Sequence, residues 1–92
     1  NVKDVERLEA DDDYVRVYAR GRMYLVYLSL NDFERRLGPA RFVRVHRTHI
    51  VNLDFVSQLV PFDGTRIQVE MRSGARIVAS RARTRDLRDL AL

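Results

Sequence analysis

The chain has 92 residues, with 17 lysines and arginines against 13 aspartates and glutamates, a formal net charge of +4; every base but Lys3 is an arginine. That length allows one domain with one modest core and excludes a multidomain enzyme with an enclosed cleft. A content of 46% hydrophobic and 33% charged residues fits a folded domain, no apolar run approaches a membrane span, and the absence of cysteine removes disulfides, thiolate nucleophiles and cysteine-ligated zinc and fits a cytoplasmic protein.

The charge is unevenly placed. Residues 1–15 carry six acids and two bases, a net of −4, whereas residues 16–92 carry a net of +8. Two stretches hold no acid at all, Arg41–Val51 and Met71–Arg85. Such stretches suit a polyanionic partner, because each phosphate neutralised releases a counterion. A solvated basic surface explains composition alone equally well. The preference for arginine adds a little, since a guanidinium forks onto phosphate or guanine and lysine does not.

In chain order, alternation of Val15, Val17 and Ala19 with Tyr14, Arg16, Tyr18 and Arg20 predicts a half-buried strand. Arg20-Gly21 is a turn and Met23–Leu28 a near-continuous apolar strand, so Tyr14–Leu28 reads as a hairpin. Ser29 caps a helix with Asp32 at its third position, Leu28 and Phe33 form a hydrophobic staple, and Gly38-Pro39 ends it. That helix covers Leu30–Leu37, with Leu30, Phe33 and Leu37 on one face. Phe42–Val45 is a short strand, His46–His49 a polar loop, Ile50–Val51 apolar again, and Asn52–Phe55 a turn. Ser57–Phe62 reads as a strand, Asp63-Gly64 as a turn, and Ile67–Met71 with Ala75–Ala79 as a second hairpin around Ser73-Gly74. Ser80 caps a last helix with Leu87, Leu90 and Ala91 facing inward. The sum is about six strands and two short helices, a mostly-β domain.

Catalytic arrangements fail one after another. No serine stands in a Gly-x-Ser-x-Gly elbow, and the glycines at 21, 38, 64 and 74 are turn residues rather than a phosphate cradle. Asp11–Asp13 lacks the spacing, glycine and distal glutamate of a calcium loop. His46 and His49 have chelating spacing only on a helix, which their β-branched neighbours oppose. No enzyme, metal or cofactor is expected. What remains is Arg44-Val45-His46-Arg47-Thr48-His49, a dense set of donors anchored on both sides by apolar residues. Arg47 and Thr48 occupy the most exposed positions, and Arg44 and His46 take the parity opposite to Val43 and Val45.

Phe42–Leu53 resembles the signature of the LytTR domain, the DNA-binding output domain of many bacterial response regulators. Leu8-Glu9-Ala10 with Tyr14-Val15-Arg16, the helix before Gly38-Pro39, and Ser80-Arg81 before the last helix agree in order and spacing, from about Val5 to the C-terminus. His49 departs from the usual aromatic or large apolar residue, and the early acidic run repels phosphate. The resemblance implies an elongated arrangement of small antiparallel sheets with two short helices, residues 1–92 forming a single domain of a longer regulator. The family's first strands are expected to be absent or cut short at Asn1, with a receiver, sensor or membrane segment upstream. It implies sequence-specific binding of double-stranded DNA by loops in successive major grooves, on paired repeats, as a homodimer, for transcription regulation and without membrane contact.

Carried over residue by residue, the resemblance gives Arg47 and Arg81 base contacts and Thr48 a phosphate contact; Arg83 joins the base contacts on charge alone. Arg16 and Arg44 are assigned to phosphates, while His46, His49, Asn52, Asp13 and Tyr14 support the loops or touch DNA. An Asp in the early loop can accept from a cytosine amine. Two alternatives remain open. One is a basic β-rich module binding an acidic protein through Tyr14, Tyr18, Tyr24 or Tyr27. The other is a single-stranded RNA binder using Tyr14 and Tyr18 beside Arg16 and Arg20.

Overall fold

The computed structural model describes residues 1–38 and 41–90. Strands β1 (Val5–Asp11), β2 (Tyr14–Ala19), β3 (Arg22–Val26), β4 (Phe42–His46) and β5 (His49–Asn52) form an antiparallel sheet in the order β3-β2-β1-β5-β4. Strands β6 (Val56–Pro61), β7 (Ile67–Met71) and β8 (Arg76–Val78) form a second antiparallel sheet. Helix α1 (Leu30–Leu37) joins β3 to β4, and α2 (Arg81–Asp89) follows β8. Single 3-10 turns cover Val2–Asp4 and Leu53–Phe55.

Local chemistry starts and stops these elements. The Ser29 hydroxyl accepts the Asp32 N–H at 3.1 Å and donates to the Asp32 carboxylate at 2.9 Å, so Ser29 caps the helix where the sequence places the cap. That hydroxyl holds the Asp32 carboxyl below the usual carboxylate range. Gly38 ends α1 at φ +74°, where a side chain would be strained; Pro39 lies outside the described residues. Arg20 and Gly21 both have positive φ, as a two-residue hairpin turn that follows the strand twist requires.

Apolar side chains make two layers, one on each face of the large sheet. Leu30 of α1 packs with Leu8, Val15 and Ile50 on one face of the large sheet, flanked by Phe33, Leu37 and Phe42. On the other face Val45 and Val51 meet Val69, Met71, Ile77 and Ala79 of the second sheet and Leu87 of α2. Adjacent residues Ile50 and Val51 therefore point into opposite cores, and both are fully buried. The second layer is tied down by Thr84, whose buried hydroxyl accepts the Ile67 N–H at 3.1 Å. The described residues extend over 35 × 22 × 22 Å, the elongated mostly-β form expected.

The structure corrects four readings. Strand β1, which the chain-order reading did not single out, is present and lies in the middle of the large sheet. A bulge between Val5 and Arg7 shifts its register, so Val5, Leu8 and Ala10 share a core without regular alternation in sequence. His46 and His49 are not loop residues; they close β4 and β5 as a pair. Met23–Leu28 narrows to β3, an edge strand with Met23, Tyr24 and Leu25 exposed. Leu90 is 41% exposed rather than inward, and Ala91 lies outside the described residues.

Truncating the core should cost far more than removing the cap. Leu8→Ala is expected to lower unfolding free energy by about 2–5 kcal/mol, and Ser29→Ala by about 1 kcal/mol, both read from urea midpoints at constant m.

Candidate nucleic-acid interface

The connection between β4 and β5 is two residues, Arg47-Thr48. Two-residue hairpins favour turns with positive φ, yet neither residue adopts it. Side chains hold this turn instead. Arg44 donates from Nε to the His46 carbonyl at 2.9 Å and from its terminal nitrogen to the Arg47 carbonyl. Nδ1 of His46 lies 3.2 Å from the Thr48 amide and 2.8 Å from the Thr48 hydroxyl. An amide can only donate, so this nitrogen accepts and the hydroxyl hydrogen is directed to it. The same hydroxyl oxygen stands 2.9 Å from Nδ1 of His49.

Two backbone hydrogen bonds bring the other candidate segments to this turn. Ala10 N–H donates to the Thr48 carbonyl at 2.9 Å, which places the Asp12-Asp13 turn between β1 and β2 on one side. Ser80 N–H donates to the Val45 carbonyl at 3.0 Å, which places the start of α2 on the other. Asp12 is in the left-handed region at φ +53°, a conformation aspartate tolerates better than most residues. The Ser80 hydroxyl accepts the Arg83 N–H at 3.2 Å and caps α2. Arg81 is exposed and donates from Nε to Thr65 at 3.2 Å, and Arg83 lies 3.8 Å from Asp86.

Arg47 is exposed, and its guanidinium has no hydrogen-bond or ion-pair partner among the described residues. It borders a cleft of about 470 Å³ between the Asp12-Asp13 turn and α1. Tyr14 stands in that wall, edge-on to Tyr27 with centroids 5.5 Å apart, and Asp13 is exposed beside it. Arg16 donates to Asp11 at 3.0 Å; contacts with Tyr18 and then Asp11 raise its pKa.

Two phosphate assignments do not match the packing. Arg44 is tied inward, with its side chain only 10% exposed and its donors directed to the turn and to α1. The Thr48 hydroxyl hydrogen is held by His46 rather than free for phosphate. Asn52 is buried at the far end of β5, donating to the Val5 carbonyl at 2.8 Å and accepting from Asp54 N–H at 3.0 Å. It supports strand pairing there, not the turn. The aromatic face suited to single-stranded RNA is also occupied: Arg7 covers the Tyr18 ring at 3.7 Å, and Arg20 pairs with Asp4. The sequence reading missed Asn31 and Glu34 of α1, both bonded to Arg44. Their i, i+3 spacing, which puts them on one flank of the helix, was the available signal.

His49 lies against Glu9 at 3.4 Å, with Arg7 and His46 nearby. Burial lowers its pKa, Glu9 opposes this, and Arg7 and His46 add to the lowering. A base with a depressed folded pKa stabilises the fold above its unfolded value, about 6.5, and loses that contribution as pH falls. The stability difference between wild type and His49→Phe is therefore expected to shift in favour of the variant from pH 7.5 to pH 5. Chemical denaturation across that range checks this; a difference independent of pH refutes it.

Comparison with known proteins agrees with this architecture. Residues 1–91 match the LytTr DNA-binding domain. The heme-containing CO-sensing transcriptional regulator RcoM 1 of Paraburkholderia xenovorans is 35% identical over 91 residues, 98% of this chain and 34% of that protein. The sensory transduction protein LytT of Bacillus subtilis is 28% identical over 90 residues, 98% of this chain and 37% of that protein. The chain thus spans about a third of the length of these relatives. Among solved structures, the LytTr DNA-binding domain of a Bacillus cereus response regulator superposes with a TM-score of 0.91 at 29% identity, covering 98% of this chain and 83% of that one. Sequence and fold together place this chain in the LytTr DNA-binding domain family.

Proposed function

We propose that this domain reads the sequence of double-stranded DNA through the Asp12-Asp13 turn, the Arg47-Thr48 turn and the Ser80–Arg83 segment, placed in successive major grooves. The observation that carries the reading is the exposed Arg47, its guanidinium without a partner among the described residues, on a turn braced by side chains and backbone hydrogen bonds to both neighbouring segments. An arginine held out in this way suits the O6 and N7 edge of guanine. The 35 Å length of the described residues matches about one turn of duplex, roughly 34–36 Å, the separation of successive major-groove faces.

Arg81 and Arg83 are the further base contacts in this reading. Asp13 is an acceptor for a cytosine amine beside Arg47, and Tyr14 lines the same cleft. Arg16 reaches phosphate by exchanging its contact with Asp11. His46, Arg44 and Thr48 shape the turn from within. The domain acts as the output of a longer cytoplasmic transcription regulator, with a receiver or sensor region elsewhere in the chain, and two copies occupy paired repeats. The names of the relatives, a CO-sensing regulator and a sensory transduction protein, support that arrangement.

Selection of duplexes from a random pool with the purified domain is expected to enrich one motif. Arg47→Ala should cost about 1–3 kcal/mol on that motif and relax one base position, whereas Arg16→Ala should weaken all duplexes alike and reduce the salt slope by about one. No enrichment, or an Arg47→Ala protein indistinguishable from wild type, removes the reading; preference for single strands favours the RNA alternative.

A further inference from the structure

Arg44 links two elements that have no other polar connection described at this point. It leaves β4 on the face covered by α1. Its guanidinium donates to the His46 and Arg47 carbonyls on one side, and to Oδ1 of Asn31 and Oε1 of Glu34, each at 3.0 Å, on the other. A guanidinium is planar and presents its donors in a fixed fork, so the position of one set of acceptors constrains the other. The burial of the two partners is unequal: the Arg44 side chain is 10% exposed and that of Glu34 47%. Helix α1 is itself fixed by the Ser29 cap and by Leu30 in the core.

We propose that Asn31 and Glu34 of α1 are positioning residues for sequence recognition: acting through Arg44, they fix the Arg47-Thr48 turn, so that base discrimination by Arg47 depends on a helix flank that need not touch DNA. This rests on the reading of Arg47 as a base contact. The mechanism is geometric. The turn lacks the positive φ values that would set its shape from the backbone, so its carbonyl anchors carry that task. Removing the α1 acceptors leaves Arg44 bonded to the turn but free to swing, and the turn moves with it.

The test uses Asn31→Ala/Glu34→Ala together, since both side chains are on an exposed flank, with Arg44→Gln alongside. Amide exchange in the free domain is the first measurement. The Thr48 N–H should exchange faster in the double variant, while Leu8 and Ile50 in the core keep wild-type rates. The second is binding of a selected duplex and its single-base variants over a salt series. The double variant should bind the selected duplex roughly 2- to 30-fold more weakly, the range expected for coupling through a packed network. Discrimination should fall at the same base position that Arg47→Ala relaxes, at an unchanged salt slope. In an Arg47→Ala background the double substitution should change discrimination no further.

Unchanged Thr48 exchange overturns the proposal whether or not DNA binds. So does a loss spread equally over all duplexes with a salt slope lowered by about one in Arg44→Gln, which makes Arg44 a phosphate contact. Faster Thr48 exchange in a wild-type-like core, combined with no sequence preference in the wild type, overturns the base-reading function and this proposal with it.

Discussion

Burial of the β4–β5 hairpin on both of its faces is the constraint on which the molecule depends. Ile50 enters the core under α1, and Val45 and Val51 enter the core shared with the second sheet and α2. A strand anchored on both faces cannot slip by one residue, because that would exchange the environments of every side chain. The turn at its end is therefore delivered to a fixed place, and the Ala10 and Ser80 amides close on it from either side. Three segments distant in sequence become neighbours because one short hairpin is held in register.

Formal charge is a poor guide to what a partner would meet. Arg16, Arg20, Arg41, Arg44 and Arg66 each have a carboxylate partner, and Glu9 lies within reach of Arg7, Arg16 and His49. Of the acids in the first fifteen residues, Asp4, Glu6, Glu9 and Asp11 are thus occupied in bracing the sheet, while Asp12 and Asp13 stay exposed at the turn. Exposed pairs of this kind contribute little stability each. Their effect is to decide which guanidiniums remain available, and Arg47 is one of them.

Much of the fold was legible. The Ser29 and Ser80 caps, the Arg20-Gly21 turn and the two alternating hairpins are local signals, and the structure forms each of them. The centre of the large sheet was not, since β1 hides its apolar face behind a bulge and only strand pairing reveals that Val5, Leu8 and Ala10 belong together. The exposure of β3 was hidden for the opposite reason: its residues are apolar, but sheet order, not composition, makes it an edge. At the site, the exposure of Arg47 could be read from its place in a basic run. The inward course of Arg44 and the internal bond of the Thr48 hydroxyl could not, because both depend on partners fixed by folding, Asn31 and Glu34 on α1 and His46 across the turn.

The separation of Arg47 from the side chains that hold its turn has an evolutionary consequence. A residue whose side chain has no hydrogen-bond or ion-pair partner among the described residues can be replaced without disturbing the scaffold, while Arg44, His46 and Thr48 are bound into it. On the proposed reading, recognition and folding are thereby assigned to different positions within six consecutive residues. If the tip of the hairpin reads bases as proposed, a lineage carrying this fold is free to acquire a new target sequence by a single exchange there, on a platform that does not have to be rebuilt.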